Sequence, residues 1–217
     1  MKKKIIIIST ILIIVIICII AIIVYMANRP SDRLKKMYNK MISDNTYIFT
    51  RSSQNGENKI VTTKKGDKTR IDMYNLGDYT TTLIKDGDTY LISHENKEYY
   101  TYSNNKIDEE ILTEEIKRII DKEYIVGKER IYGQTYYYEE YNGITDFLIE
   151  TYKDMDLSTA KTRFYFKGKD LQFIKTIYQT VDSQTGKNTN VEELLKAIVE
   201  YKVEDNVFEI PSDYAEN

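Results

Sequence analysis

The stretch KIVTTKKGDKTRIDMYNLGDYTTTLIKDGDTYLIS, residues 59–93, decides the fold. Its apolar and polar residues alternate with a period of two. The alternation is cut at Gly66-Asp67, at Gly77-Asp78 and at Asp86-Gly87-Asp88. Short runs rich in Thr, Tyr, Ile and Val between Gly/Asp turns predict consecutive antiparallel hairpins. The expected strands are Lys59–Lys65, Lys68–Tyr74, Tyr79–Lys85 and Thr89–Ser93. Tyr47–Ser53, closed by Asn55-Gly56, extends the series upstream, and Glu98–Tyr102 extends it downstream. Six sequential strands make one meander too large to stay flat.

A second strand set lies further on. Tyr124–Ile131 and Gln134–Tyr141 flank Tyr132-Gly133, and Thr162–Phe166 and Leu171–Val181 flank Lys167-Gly168-Lys169-Asp170. Between them, residues 143–160 read equally as a short strand or a covering loop. Residues 191–204 satisfy two patterns. Glu192-Glu193-Leu194-Leu195-Lys196 looks helical, whereas Leu195, Ala197, Val199, Tyr201 and Val203 alternate as in a strand. The strand is preferred, because an antiparallel sheet needs a closing partner. Phe208 and Ile210, ahead of Pro211, are expected to pack the end of the chain.

Two segments carry helical spacing. In residues 31–43, Ser31 is the expected N-cap, and Leu34, Met37, Tyr38, Met41 and Ile42 form one stripe. In residues 108–122, Ile111, Leu112, Ile116, Ile119 and Ile120 do the same. Asp108, Glu109, Glu110, Glu114 and Glu115 lie off that stripe and read as a solvated face rather than a metal site.

The N-terminus suggests a location. Lys2, Lys3 and Lys4 precede 23 residues, Ile5 to Ala27, without a charge. As a helix that run would measure roughly 35 Å, against a hydrocarbon core of about 30 Å. Tyr25, three residues before the best cleavage position, argues against a cleaved signal. The expectation is a cytoplasmic N-terminus over residues 1–4, a transmembrane anchor over 5–27, and an extracytoplasmic domain over 28–217. Cys18 lacks the small residue expected before a lipidated cysteine and reads as an apolar residue within the helix. Setting the three N-terminal lysines aside leaves 28 basic against 34 acidic residues, or −6 for the domain. That balance disfavours nucleic acid as a partner.

Catalytic patterns are missing. One His and one Cys in 217 residues exclude a Cys/His zinc site and a disulfide framework. His94-Glu95 has no second His four residues on, and Gly186-Lys187 lacks the rest of a phosphate loop. His94 reads as a surface turn residue, and no cofactor is expected. The chain has 20 Tyr and no Trp. Tyr136 and Tyr138 should share one sheet face and Tyr137 the other. Such tyrosines serve either as strand-forming cover for a sheet or as an amphipathic lining.

Several motifs together resemble the LolA/LolB-like lipoprotein-carrier superfamily. They are the helix at Leu34–Ile42, the run Thr82-Leu83-Ile84-Lys85-Asp86-Gly87-Asp88-Thr89-Tyr90-Leu91, and the hairpin from Thr162 through Gly168 to Lys175. The ending Val207-Phe208-Glu209-Ile210-Pro211 completes the set. The resemblance, to a membrane-anchored Gram-positive relative, implies an α+β fold. That fold is a curved antiparallel half-barrel with two covering helices, here preceded by a single transmembrane helix. It also implies an apolar hollow that receives acyl chains or a partner's segment. The expected function is a membrane-anchored, non-catalytic envelope protein that binds a lipid, lipoprotein or other apolar ligand. The alternative is a protein-interaction module, an envelope sensor or an accessory partner of a cell-wall or sporulation enzyme. Candidate lining residues are Ile71, Met73, Leu83, Leu91, Phe164 and Phe166, all of them equally suited to a core.

Overall fold

The structure, a computed structural model, describes residues 16–20, 32–103, 111–143, 159–181 and 187–217. The chain divides into two units, Met1–Ser31 and Asp32–Asn217. In the first, residues 16–20 are helical and exposed, Cys18 among them.

In the second unit the elements run in order from helix α1 (Arg33–Asp44) through β1 (Thr46–Ser52), β2 (Asn58–Lys65), β3 (Lys68–Asn75), β4 (Asp78–Lys85), β5 (Asp88–Ser93) and β6 (Glu98–Ser103). Helix α2 (Ile111–Ile120) follows, then β7 (Tyr124–Ile131), β8 (Gln134–Asn142), β9 (Lys161–Lys167), β10 (Asp170–Val181) and β11 (Asn188–Glu200). A 3-10 turn (Asp205–Phe208) and the two-residue β12 (Ala215–Glu216) end the chain. The strands form one sheet in the order β12-β6-β5-β4-β3-β2-β1-β11-β10-β9-β8-β7. Neighbours are antiparallel except β12, which runs parallel to β6. Asp86 at φ 56° and Gly87 at φ 87° close β4 onto β5 with both turn residues left-handed, as a two-residue hairpin turn requires. The ambiguous segment 191–204 is strand as far as Glu200, and it closes the sheet. Ile48 lies opposite Glu200 and Phe49 opposite Val199, which joins the two meanders.

The expected fold class is corrected by this architecture. Among the described residues the molecule is a sheet-rich fold of twelve strands, and its two described helices in the second unit are only 12 and 10 residues long. The transmembrane helix is corrected too. Among the described residues no helix is long and apolar enough to cross a membrane. Of the expected span over 5–27 only residues 16–20 are described, and they are helical; the rest lies outside the described residues. The single-pass cell-membrane placement and the extracytoplasmic assignment fall with it.

Both helices pack on one sheet face. Leu34, Met37 and Met41 of α1 and Ile116, Ile119 and Ile120 of α2 meet Tyr47, Phe49, Tyr141, Phe164, Phe166, Leu171, Ile174 and Ala197. Ile42, expected in the α1 stripe, is half exposed, because the buried stripe is narrower than the pattern allowed. Ser31, the expected N-cap, lies outside the described residues; the cap position is Asp32, and its side chain makes no capping bond. A residue from the far meander does that work. Glu139 is fully buried and accepts the Arg33 amide at 2.7 Å, the Leu34 amide at 3.1 Å and the Tyr141 hydroxyl at 3.0 Å. A carboxylate suits the positive end of a helix, and three donors replace its lost water.

On the opposite, outer face the chain's last residues cover β1–β6. Val203 and Phe208 pack on Leu83 and Ile92, with Ile210 and Tyr214 beside them. Phe208 and Ile210 thus pack the end of the chain, as expected.

Glu139→Ala is expected to lower stability by about 3 kcal/mol, since it strands two helix-start amides and a buried phenol. Urea unfolding measures it; a loss under about 1 kcal/mol would show that the cap does not hold α1.

Candidate functional site

Opposed residues of an antiparallel pair share a face. The register therefore traces one row across the helix-bearing face: Phe49, Thr62, Ile71, Thr82, Leu91, Tyr100. Exposure climbs along it. Phe49 is 2% exposed, Ile71 and Thr82 are half-buried, Leu91 reaches 37% and Tyr100 42%. The adjacent row runs Arg51, Ile60, Met73, Thr80. Among the described residues the helices pack on the strands around the β1–β11 junction, and these two rows of the β2–β6 half stay half-buried or exposed toward their far ends. A third row, Ile84 and Thr89 among it, is buried.

Where the open part meets the junction there is a depression of about 330 Å³, with Arg51, Ile60, Met73 and Leu195 in its wall. That is the low end of ligand-pocket volumes, enough for a narrow apolar group.

The six candidate lining residues separate into three places. Ile71, Met73 and Leu91 lie on the open part of the helix-bearing face. Phe164 and Phe166 are on the same face but sealed beneath the helices. Leu83 points to the outer face and packs with Phe208. Ile60 and Leu195 belong to the open region and were not among the candidates, although the same alternation could have found them.

Two polar networks lie on the outer face. In the first, Glu129 accepts bonds from Tyr165, from Arg163 at 2.9 Å and from Lys175, while Glu140 is paired with Arg163 and with Lys161 at 3.0 Å. Burial acts to raise both carboxyls, but these donors overcome it and hold both below the usual range. Burial and the bond to Glu129 push the Tyr165 hydroxyl well up. The second network adds to the reading of His94: it stands in the turn between β5 and β6, as expected, but half-buried and bonded on both ring nitrogens. Its ring stacks on Tyr79 with centroids 3.6 Å apart, Nε2 lies 2.8 Å from Thr81 Oγ1, and Nδ1 lies 2.8 Å from the Tyr214 hydroxyl. No sequence spacing announces this, because Tyr214 is 120 residues away. Among the described residues no group of His, Cys, Asp and Glu side chains could hold a metal ion.

No family model matches the chain, and no curated protein matches it either. Among solved structures, the crystal structure of an uncharacterized conserved protein from Thermus thermophilus is similar at 9% identity and a TM-score of 0.39, over 84% of this chain and 97% of that one.

The lowered carboxyls set an acid limit. Stability from Glu129 and Glu140 is complete above their unfolded value near 4.5 and drains as pH falls through the lower folded values. Glu129→Gln is expected to flatten the stability curve between about pH 5 and pH 3, measured by urea midpoints. An unchanged slope would show that the network contributes nothing in acid.

Proposed function

We propose that this protein is a non-catalytic binding protein that takes an elongated apolar ligand, a lipid or the acyl part of a lipoprotein, on the open part of its helix-bearing face. The observation that carries the reading is the row Ile71, Leu91, Tyr100 with Ile60 and Met73 beside it. These apolar side chains continue the core's own surface past the helices and stay half-buried or exposed. Covering one large aliphatic side chain contributes about 1.5–3 kcal/mol, so four or five in a row make a sizeable apolar site. Thr62, Thr80 and Thr82 keep the strip shallow between them, which suits a chain-like occupant. The resemblance to the lipoprotein-carrier superfamily supports the same ligand class. A protein-interaction module is the second reading, favoured by the exposed rings of Tyr100 and Tyr102 on this face.

The test is displacement of a fluorescent fatty acid from the full chain. Met73→Lys and Ile71→Lys are expected to weaken binding by at least about tenfold, because each sets a charge in the strip. Leu83→Ala is the control. It is expected to cost about 2–5 kcal/mol of stability by opening a cavity on the other face, and to leave the folded protein's affinity unchanged. Equal binding by all variants, or no binding by the wild type, would sink the lipid reading.

A further inference from the structure

We propose that residues 211–217 form a pH-sensitive guard strand, held on the outer face and the β6 edge by neutral His94 through Tyr214 and released when His94 takes up a proton.

Besides the Tyr214 ring, which packs beside the outer apolar cluster, the segment is held by exposed polar contacts that do not titrate near neutrality: Thr101 donates to Glu216 at 2.6 Å and Asn217 Nδ2 to Glu98 at 3.2 Å. Its ladder to β6 is two residues long, with the Ala215 amide on the Lys97 carbonyl and the Asn217 amide on the Tyr99 carbonyl, both at 3.0 Å. Lys97 and Asp213 pair at 2.8 Å, but both side chains are more than half exposed. Such a pair contributes little. Upstream the attachment is of another kind. Phe208 is in the outer apolar cluster, and Arg70 Nη1 donates to the Val207 carbonyl at 2.8 Å. Neither anchor titrates near neutrality, so release would stop short of residue 208.

The bonding fixes the histidine's protons. The Thr81 hydroxyl is committed to Asp72 Oδ1, so it accepts from His94 Nε2–H. Nδ1 is then bare and accepts the Tyr214 O–H. A proton on Nδ1 would face the phenol's own hydrogen. The phenol would have to turn over and lose its acceptor. The charged groups around the ring do not favour that proton either. From β3, Arg70 brings a positive charge, and Asp72 is already engaged by Arg70, Tyr79 and Thr81. From β4 there are the Tyr79 ring, backed by Tyr74, and Thr81. From the tail there is Tyr214, with the Lys97–Asp213 pair flanking it. Burial first and Arg70 second lower the histidine's proton affinity below its usual value near 6.5, Asp72 opposing them. The latch is therefore complete above about pH 6.5 and weakens as pH falls through the lower folded value. Asp213 is held down by its bond to Lys97, so that pair stays ionised over the same interval.

Released, the segment would uncover Tyr99 and the outer hydrogen-bonding edge of β6. It would also free Tyr100, whose hydroxyl accepts from Asn217 Nδ2 at 2.9 Å.

The experiment is hydrogen exchange of the full chain by NMR, corrected for intrinsic rates, from about pH 7.5 down to about pH 5. The Ala215 and Asn217 amides are expected to lose protection by about three- to tenfold while the Phe164 amide keeps its own. His94→Gln, whose amide can donate to Thr81 and accept from Tyr214 without titrating, is expected to keep protection at every pH. Tyr214→Phe is expected to lose it at every pH. A flat wild-type profile, or an equal fall in His94→Gln, overturns the latch. Should either variant fail to fold, the wild type still decides. The His94 ring resonances must titrate with the same midpoint as the loss of protection, and midpoints more than about one pH unit apart overturn the proposal.

Discussion

The pairing of β1 with β11 is the constraint on which the rest depends. Either meander alone is a stack of hairpins that local turns can build, with a bare edge at each end. The seam joins the first strand of one to the last strand of the other, across most of the chain. Closing so long a loop is costly in entropy and is repaid only by what the seam assembles. It sets Phe49 beside Val199 and brings Ala197 to the base of the helix-side core. It also puts α1, which precedes β1, within reach of Glu139 on β8. That carboxylate is bound by two helix amides and a phenol, so the start of the helix is fixed by the second meander, while its buried stripe also packs on Tyr47 and Phe49 of β1.

From the seam outward the two faces diverge. On one, two short helices cover the centre, and apolar burial decays along the row from Phe49 to Tyr100. On the other, the returning tail covers β1–β6, while charges cover β7–β10. Glu129, Arg163, Lys175, Glu140 and Lys161 can stand on a half-buried sheet because each carboxylate has two or more donors. An unmatched charge there would carry most of its desolvation cost. The strip on the helix side is built chiefly of aliphatic and threonine side chains, with Arg51 at its border.

How much of this the sequence makes legible depends on the range of the signal. The hairpins at Gly66-Asp67, Asp86-Gly87 and Lys167–Asp170 are local, since turn chemistry and period two act within a few residues, and they stand where expected. Residues 191–204 carried both periods, and only the need of an antiparallel sheet for a closing partner decided between them. Alternation puts Ile71 and Met73 on one face of their strand, but it does not show that Phe164 and Phe166 lie under the helices. Leu83 lies on the outer face: parity along β4 is visible in the sequence, but which parity meets the helices is not. Glu139 and His94 were illegible, since each is defined by partners about a hundred residues off. The apolar run over 5–27 shows the opposite failure. Composition alone suggested a span, and among the described residues no helix is long and apolar enough to make one.

The tyrosines follow from the same geometry. A sheet this wide needs large strand-forming side chains on both faces, and it also needs donors wherever a charge is buried. Tyrosine supplies both. Tyr141 donates to Glu139, Tyr165 to Glu129, Tyr124 to Asp32 and Tyr79 to Asp72, each with its ring packed on an aromatic neighbour. Tryptophan, whose indole N–H lies on a bulkier ring, could serve few of these places, and a phenylalanine would leave each carboxylate one donor short. Four of the 20 tyrosines are thus accounted for by carboxylates that need a donor. Tyr100 and Tyr102 stand apart, with exposed rings at the far end of the helix-bearing face, beside the strip proposed to bind.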